Sequence, residues 1–343
     1  MAFKLFSVKH DGYCRILCYI RKHASFPFFE KAFYRALPKK PDNSLHSPIR
    51  ILITCKNTKL ILNRDIFSSF HNDFFIFAAI FTRMMKITIL GCGTSQGVPV
   101  IGCECDVCRS TDPRDKRLRT SILIQTDSTT ICVDAGPDFR QQMLRENVKH
   151  LDAILITHHH KDHIGGLDDV RSFNFLQNIS MPIYASPEAQ EEIKREYSYA
   201  FVDKEELYPG APTYNLIDIK DNTPIKINEL TIEPIPLLHL KMFCYALRIG
   251  KFAYVTDFNY MSDESFEKLK GVEYLVIEAL RKEQHYSHIC LSEAIDIAQK
   301  LNVKKAWFTH ISHTMGKAED VNKTLPSNML LAYDGLSITI END

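Results

Sequence analysis

The stretch Thr157-His158-His159-His160-Lys161-Asp162-His163-Ile164-Gly165-Gly166 puts three ligand-type histidines and a carboxylate, His158, His160, Asp162 and His163, into one short turn. Neutral imidazoles and carboxylates are the donors that zinc, manganese and iron take. One tetrahedral ion rarely draws four ligands from a single segment, so the spacing implies two ions. Paired divalent ions lower the pKa of a shared water and clamp the attacking and leaving oxygens of an in-line displacement. The chemistry such a set can do is therefore hydrolysis.

Two ions with one shared carboxylate need more ligands, and three further candidates follow apolar runs. His239 closes Ile232 to Leu238, Asp257 closes Phe252 to Thr256, and His310 closes Ala306 to Thr309. Each run reads as a strand, and strand ends are where loops aim functional side chains. His159 and Lys161 alternate with the ligands and should point away. A second cluster, Cys103-Glu104-Cys105-Asp106-Val107-Cys108, supplies three thiols, three of the four ligands of a tetrahedral structural zinc. His313 in Thr309-His310-Ile311-Ser312-His313 is the candidate fourth; ordinary buried thiols are the alternative. Cys92, Cys132, Cys244 and Cys290 lie in apolar segments and read as packing residues.

The elements that must position these groups can be traced from Met85. Lys86 to Leu90 predicts a strand ending in the Gly-rich turn Gly91-Cys92-Gly93-Thr94. Thr120 to Gln125 and Thr130 to Val133 predict paired strands across a polar turn. Ala153 to Ile156 predicts a buried strand that delivers the histidine cluster. Hairpins are predicted at Ile225-Lys226-Ile227 with Leu230-Thr231-Ile232, and at Tyr245 to Ile249 with Phe252 to Val255. Further strands are predicted at Tyr274 to Ile277 and Ala306 to Thr309. Helices are predicted at Asp138 to Glu146, Pro187 to Tyr199, Ser262 to Lys270 and Ser292 to Leu301. Strands first and helices last in each half suit two sheets face to face with helices outside, an α/β (α+β) fold with an αββα four-layer sandwich.

The chain's zero net charge hides an asymmetry. Residues 1–84 carry 14 Lys/Arg against 5 Asp/Glu, and residues 85–343 carry 28 against 37. The first part is a basic, Phe-rich segment without a sustained period, expected to be a poorly structured extension, with a true start at Met84 or Met85 as one reading of it. The second is expected to be the hydrolase domain. A polyanion binder usually shows a basic face, so the acidic domain argues against nucleic acid as its partner without excluding it. The longest apolar run, Phe74 to Phe81, is too short to cross a bilayer. No apolar leader forms before Lys4, Lys9, His10 and Asp11, and ten thiols in a reducing compartment stay free, buried or metal-bound. The expected location is the cytoplasm.

His158, His160, Asp162, His163, His239, Asp257 and His310 resemble the metallo-β-lactamase superfamily in order and spacing. The resemblance implies that His158, His160 and His239 hold one ion, that Asp162, His163 and His310 hold the other, and that Asp257 bridges. It makes Asp162 a catalytic ligand and Asp134 a carboxylate behind a ligand histidine. The Gly91 to Pro99 run, the Cys103-Cys105-Cys108 set and Thr309 to His313 narrow the resemblance to the PhnP-like family, over about residues 85–343. That family implies hydrolysis of 5-phosphoribosyl 1,2-cyclic phosphate, some action on 2′,3′-cyclic nucleotides, manganese or zinc at the paired site, a structural zinc and a homodimer. His288 matches its general acid. Glu278 is placed to orient His288, in a pattern similar to nucleases that process transfer-RNA 3′ ends, and an RNA-processing nuclease of that type, or another metallo-β-lactamase-fold hydrolase, is the alternative activity. Lys241 is either a phosphate contact or a solvated lysine.

Overall fold

The computed structural model describes residues 83–342 except Lys204, Leu207 and Asn222, while most of the backbone and all the side chains of residues 1–83 lie outside the described residues. The expected N-terminal extension therefore falls there too. Between residues 83 and 342 fourteen strands form two seven-stranded sheets. The first contains β1 (Arg83–Gly91), β2 (Ser121–Gln125), β3 (Thr130–Val133), β4 (Ala153–Leu155), β5 (Met181–Ala185), β6 (Tyr214–Asp218) and β14 (Ser337–Asn342), in the order β6-β5-β4-β3-β2-β1-β14. The second runs in sequence order through β7 (Ile225–Ile227), β8 (Leu230–His239), β9 (Met242–Ile249), β10 (Phe252–Val255), β11 (Tyr274–Glu278), β12 (Lys305–Thr309) and β13 (Met329–Leu331).

Side-chain alternation builds the layers. Ile122 and Ile124 of β2 join Met85, Ile87 and Ile89 of β1 in the core shared with Ile235, Leu237 and Tyr254 of the second sheet. Leu123, Cys132, Ile154 and Ile156 point the other way, beneath α1 (Phe139–Arg145), α3 (Arg171–Gln177) and α4 (Pro187–Glu196). Strands covered on both faces read as continuous apolar runs, which is why the sequence marks them well. Ala294 and Ala298 of α6 (Leu291–Lys300) and Leu269 of α5 (Asp263–Leu269) cover the second sheet. The αββα sandwich and both hairpins stand as expected; Ile225↔Ile232 and Leu247↔Tyr254 give their registers.

The two sheets repeat one plan. In the first, β2 and β3 form an antiparallel pair, and β4 then returns parallel to β3. In the second, β9 and β10 pair antiparallel, and β11 and β12 follow in parallel. Asp134 leaves β3 and Asp257 leaves β10, each with a left-handed backbone, φ 64° and 55°. Asp tolerates that region better than most residues because its short side chain bonds locally. The change from antiparallel to parallel pairing opens a crevice beyond the strand ends, the usual place for a site in such sheets.

β5, β6, β13 and β14, the short helices and α3 have no counterpart in the sequence reading. β5 contains Pro182, which removes a ladder donor and demotes the run as a strand. It survives because β4 pairs only with Ile183 and Tyr184, beyond the proline. No helix among the described residues is long and apolar enough to cross a membrane.

Candidate metal centre

β4 delivers Thr157 and His158 to the crevice, and His160 starts the one-turn helix α2 (Lys161–Ile164), which carries Asp162 and His163. His239 ends β8, while Asp257 and His310 follow β10 and β12; His310 also adopts a left-handed backbone, φ 54°. The structure brings all seven together in two adjoining groups. His158, His160 and His239 form one, and Asp162, His163, Asp257 and His310 the other, each with donor atoms within 4.8 Å of one another. In the second group His163 Nε2 lies 3.3 Å from both Asp162 Oδ2 and Asp257 Oδ2, and His310 Nε2 lies 3.1 Å from Asp257 Oδ1. Asp257 thus faces two ligand histidines with its two oxygens. His159 is half-buried without joining either group, and Lys161 turns away to pair with Glu196.

Buried polar atoms are nearly always satisfied. Among the described residues five buried side-chain atoms have no hydrogen-bond partner, and four belong to histidines of these groups: His158 Nε2, His163 Nε2, His310 Nδ1 and His310 Nε2. Orphaned imidazole nitrogens pointing into a crevice with two carboxylates are what a cation site leaves when only the protein is considered. The outer nitrogens of His163 and His239, by contrast, are anchored. His163 Nδ1 lies 2.7 Å from Asp134 Oδ2, and His239 Nδ1 donates to the Ser287 carbonyl at 2.8 Å. Thr157 donates through its amide to Asp134 Oδ1 at 2.8 Å and through its hydroxyl to Oδ2 at 2.9 Å. Such partners orient ligands and raise their basicity.

Electrostatics point the same way. Burial holds His158 well below its usual range, with His163 adding to the effect; burial and then His239 depress His160. Burial also depresses His239. These are neutral imidazoles, the form that binds metals. Burial opposes charge on Asp257, yet His310 and His163 hold its carboxyl well below the ordinary range. His163 is pushed well above its own range against burial by Asp134, Asp257 and Asp162. Without a cation the protein must balance these carboxylates with protons on histidine; a bound cation takes over that task.

His288 is brought to the rim, its Nδ1 2.8 Å from Glu278 Oε2. Glu278 is fully buried and raised well above the carboxylate range by burial and then by Asp257. Burial, then His310, lowers His288 to about 4. Lys241 lies exposed in the turn after His239, and no hydrogen bond or ion pair joins it to a described residue. Sequence reading missed Thr157 and the Ser287 carbonyl: a threonine between a strand and a histidine carries no distinctive signal, and a main-chain acceptor carries none.

The thiol cluster is likewise assembled. Cys103, Cys105 and Cys108 Sγ lie 3.3, 3.5 and 3.6 Å from His313 Nδ1. A zinc with Zn–S about 2.3 Å and Zn–N about 2.0 Å in a tetrahedron separates sulfur from nitrogen by about 3.5 Å. Amides of Val100 and Cys108 donate to Cys108 and Cys105 Sγ, both at 3.4 Å. The Cys108 amide bond leads the causes that lower the Cys105 thiol to about 6, whereas burial pushes Cys108 up to about 11. Cys92, Cys132, Cys244 and Cys290 are buried, as packing residues should be.

Comparison with known proteins places this geometry. The family described as Beta-lactamase superfamily domain matches residues 129–311. A solved structure described as a new diphosphatase from the PhnP family is 39% identical, covers 76% of this chain and 98% of its own, and superposes with a TM-score of 0.70. An octanoyltransferase of Porphyromonas gingivalis is 38% identical over 259 residues, 75% of this chain and 52% of that protein. The chain thus spans about half the length of that curated relative, and a third of the coenzyme PQQ synthesis protein B of Rhodopseudomonas palustris. Ribonuclease Z of Methanopyrus kandleri is 22% identical over 264 residues, 66% of this chain and 94% of that protein.

Proposed function

The chain belongs to the metallo-β-lactamase superfamily and to its PhnP-like branch, and we propose that it hydrolyses a small cyclic phosphodiester, such as a ribosyl 1,2-cyclic phosphate or a 2′,3′-cyclic nucleotide. It is a metal-dependent hydrolase; the ester is the proposal. The observation that carries it is the coincidence of two adjoining donor groups with a His288–Glu278 pair at their rim. Phosphodiester hydrolysis expels an alkoxide, a poor leaving group that needs a proton, and the hydrogen-bonded Glu278–His288 pair is the positioned group that can deliver one.

In this reading His158, His160 and His239 hold one divalent ion and Asp162, His163 and His310 the other, with Asp257 between them; manganese or zinc fits these nitrogen and oxygen donors. Bound there, two ions supply a water of lowered pKa and charge stabilisation at the phosphoryl oxygens. The chain's own groups do the rest. Asp134 and the Ser287 carbonyl fix the outer nitrogens of His163 and His239, so both rings present Nε2 inward. Glu278 holds Nδ1 of His288, which leaves Nε2 to protonate the departing oxygen as the P–O bond breaks. Cys103, Cys105, Cys108 and His313 would hold a structural zinc. Lys241, free on the rim beside His239, meets a substrate phosphate. Two copies associate, in the cytoplasm. The net negative charge of residues 85–343 favours a small phosphodiester over a long RNA.

Turnover decides between esters. The manganese-loaded chain should hydrolyse ribosyl 1,2-cyclic phosphate, 2′,3′-cyclic AMP or bis(p-nitrophenyl) phosphate, measured by product chromatography or absorbance. No turnover of any of the three with both ions bound would refute the phosphodiesterase reading; cleavage of precursor transfer RNA alone would replace it with the nuclease.

His288→Ala should lower kcat by about 10²- to 10⁴-fold, the range for a lost general acid. Metal content measured by plasma emission should stay at the wild-type value. An unchanged kcat removes His288 from the mechanism.

A further inference from the structure

The turn that carries Asp162 and His163 is gripped from two sides. On one side the contact is backbone to backbone. Ala135 N donates to His163 O at 2.7 Å, and Gly166 N donates to Ala135 O at 2.8 Å. A Cβ on Gly136 would sit 2.0 Å from Asp162 O, so only glycine permits this approach. On the other side the grip is made by three phenols. Tyr197 donates to the Ile164 carbonyl at 2.7 Å, Tyr214 donates to the Leu167 carbonyl at 3.1 Å, and Tyr199 donates to the Asp168 carboxylate. The tyrosines form one cluster, with Tyr197 ring centroids 6.3 Å from Tyr199 and 6.1 Å from Tyr214. Glu196, next to Tyr197, pairs with Lys161 at the start of the same turn.

A helix as short as α2 leaves its closing carbonyls without partners inside the helix, and little of its geometry is self-determined. Tyr197, just after α4, supplies such a partner to the last carbonyl of α2, and Tyr214 of β6 holds the Leu167 carbonyl of the turn that follows; both are far from the ligands in sequence. Burial raises all three phenols well above their ordinary range, so they remain donors throughout neutral pH.

We propose that Tyr197 and Tyr214 are positioning residues that, through α2 and the turn after it, set how Asp162 and His163 meet His310 and so tune the affinity of that ion position selectively. The inference rests on the paired-metal reading. The hydroxyls contact the chain only after His163, whereas His158 follows β4 and His239 ends β8, so of the other group only His160, at the start of α2, shares the gripped turn. Losing them should therefore act mainly on the Asp162–His163–His310 position.

The test uses manganese(II) as probe, its free-ion paramagnetic signal reporting what the full chain leaves unbound. Tyr197→Phe and Tyr214→Phe keep the rings and delete the hydroxyls. A His160→Ala background isolates the Asp162–His163–His310 position, and a His310→Ala background isolates the other. In the first background each Tyr→Phe change should weaken manganese binding by about 10- to 100-fold, the range for an outer partner of a metal ligand. In the second background the affinity should stay within about threefold, and the metal-free melting temperature should fall by only a few degrees. Equal weakening in both backgrounds would make the tyrosines ordinary fold residues, and no weakening in either would also overturn the inference. Wild-type protein that takes up fewer than two manganese ions would instead refute the paired-metal reading itself.

Discussion

Asp257→Asn should abolish the paired centre while leaving the fold in place. Asp257 sits in left-handed backbone, a region asparagine accepts at least as readily, so the substitution removes charge without new strain. What it removes is the carboxylate whose Oδ1 faces His310 at 3.1 Å and whose Oδ2 faces His163 at 3.3 Å. An amide offers one oxygen and no charge to two cations. Metal ions stabilise a developing transition state by several kcal/mol, and each 1.36 kcal/mol is tenfold in rate, so kcat/KM should fall by roughly 10³-fold or more. Metal analysis should show loss of at least one active-site ion, with the thiol-bound zinc retained. Two active-site ions and activity within tenfold of wild type would show that Asp257 does not bridge.

The position of Asp257 also explains why so much of the centre is legible in the sequence. His239, Asp257 and His310 each close an apolar run, and in a sheet buried on both faces such a run can only be a strand, so the residue after it is at the crevice. The cluster from His158 to His163 is legible because its spacing fits a single turn. Asp134 is the counterpart of Asp257 in the first sheet, with the same strand exit and the same backbone conformation. One faces the outer nitrogen of His163 and the other its inner nitrogen. No pattern of residue types encodes that division; resemblance implies it for Asp134, and the structure sets the two carboxylates on opposite sides of one ring.

What stays hidden follows from the same physics. Ser287 acts through its carbonyl, which every residue has. Tyr197 and Tyr214 act through hydroxyls at the end of a buried and a half-buried ring, and such a tyrosine looks like any core aromatic until its partner is known. β5 is masked by Pro182, and the edge strand β6 alternates too weakly to stand out. Lys241 illustrates the reverse: its position beside His239 suggests substrate contact, and the structure leaves it solvated, so only a bound phosphate can give it a role.

Cys108→Ser should act on stability first and on catalysis through it. The loop from Val98 to Cys108 has a small apolar cluster of its own, with Val98, Val107 and Cys108 buried, apart from both larger cores. So small a core offers little to hold three thiols around an imidazole, and in the proposed reading a zinc that takes them as thiolates would supply the order. The loop matters to the centre because His313 lies three residues after His310 on one segment. Arg117, fully buried and paired with Asp115 at 3.0 Å, also reaches the Ser312 carbonyl, so the two loops are joined a second time. Losing the third thiolate should release the zinc and remove about 3–5 kcal/mol of stability, a melting temperature lower by about 10–15 °C for a domain of this size. Zinc content should fall by one per chain, and protease should cut between Val98 and Ser110. Activity should then decline with temperature well before the wild type does, because His310 loses its support while its own ligand set is unchanged. A variant that keeps all its zinc and its melting temperature would mean that the three thiols are packing residues after all.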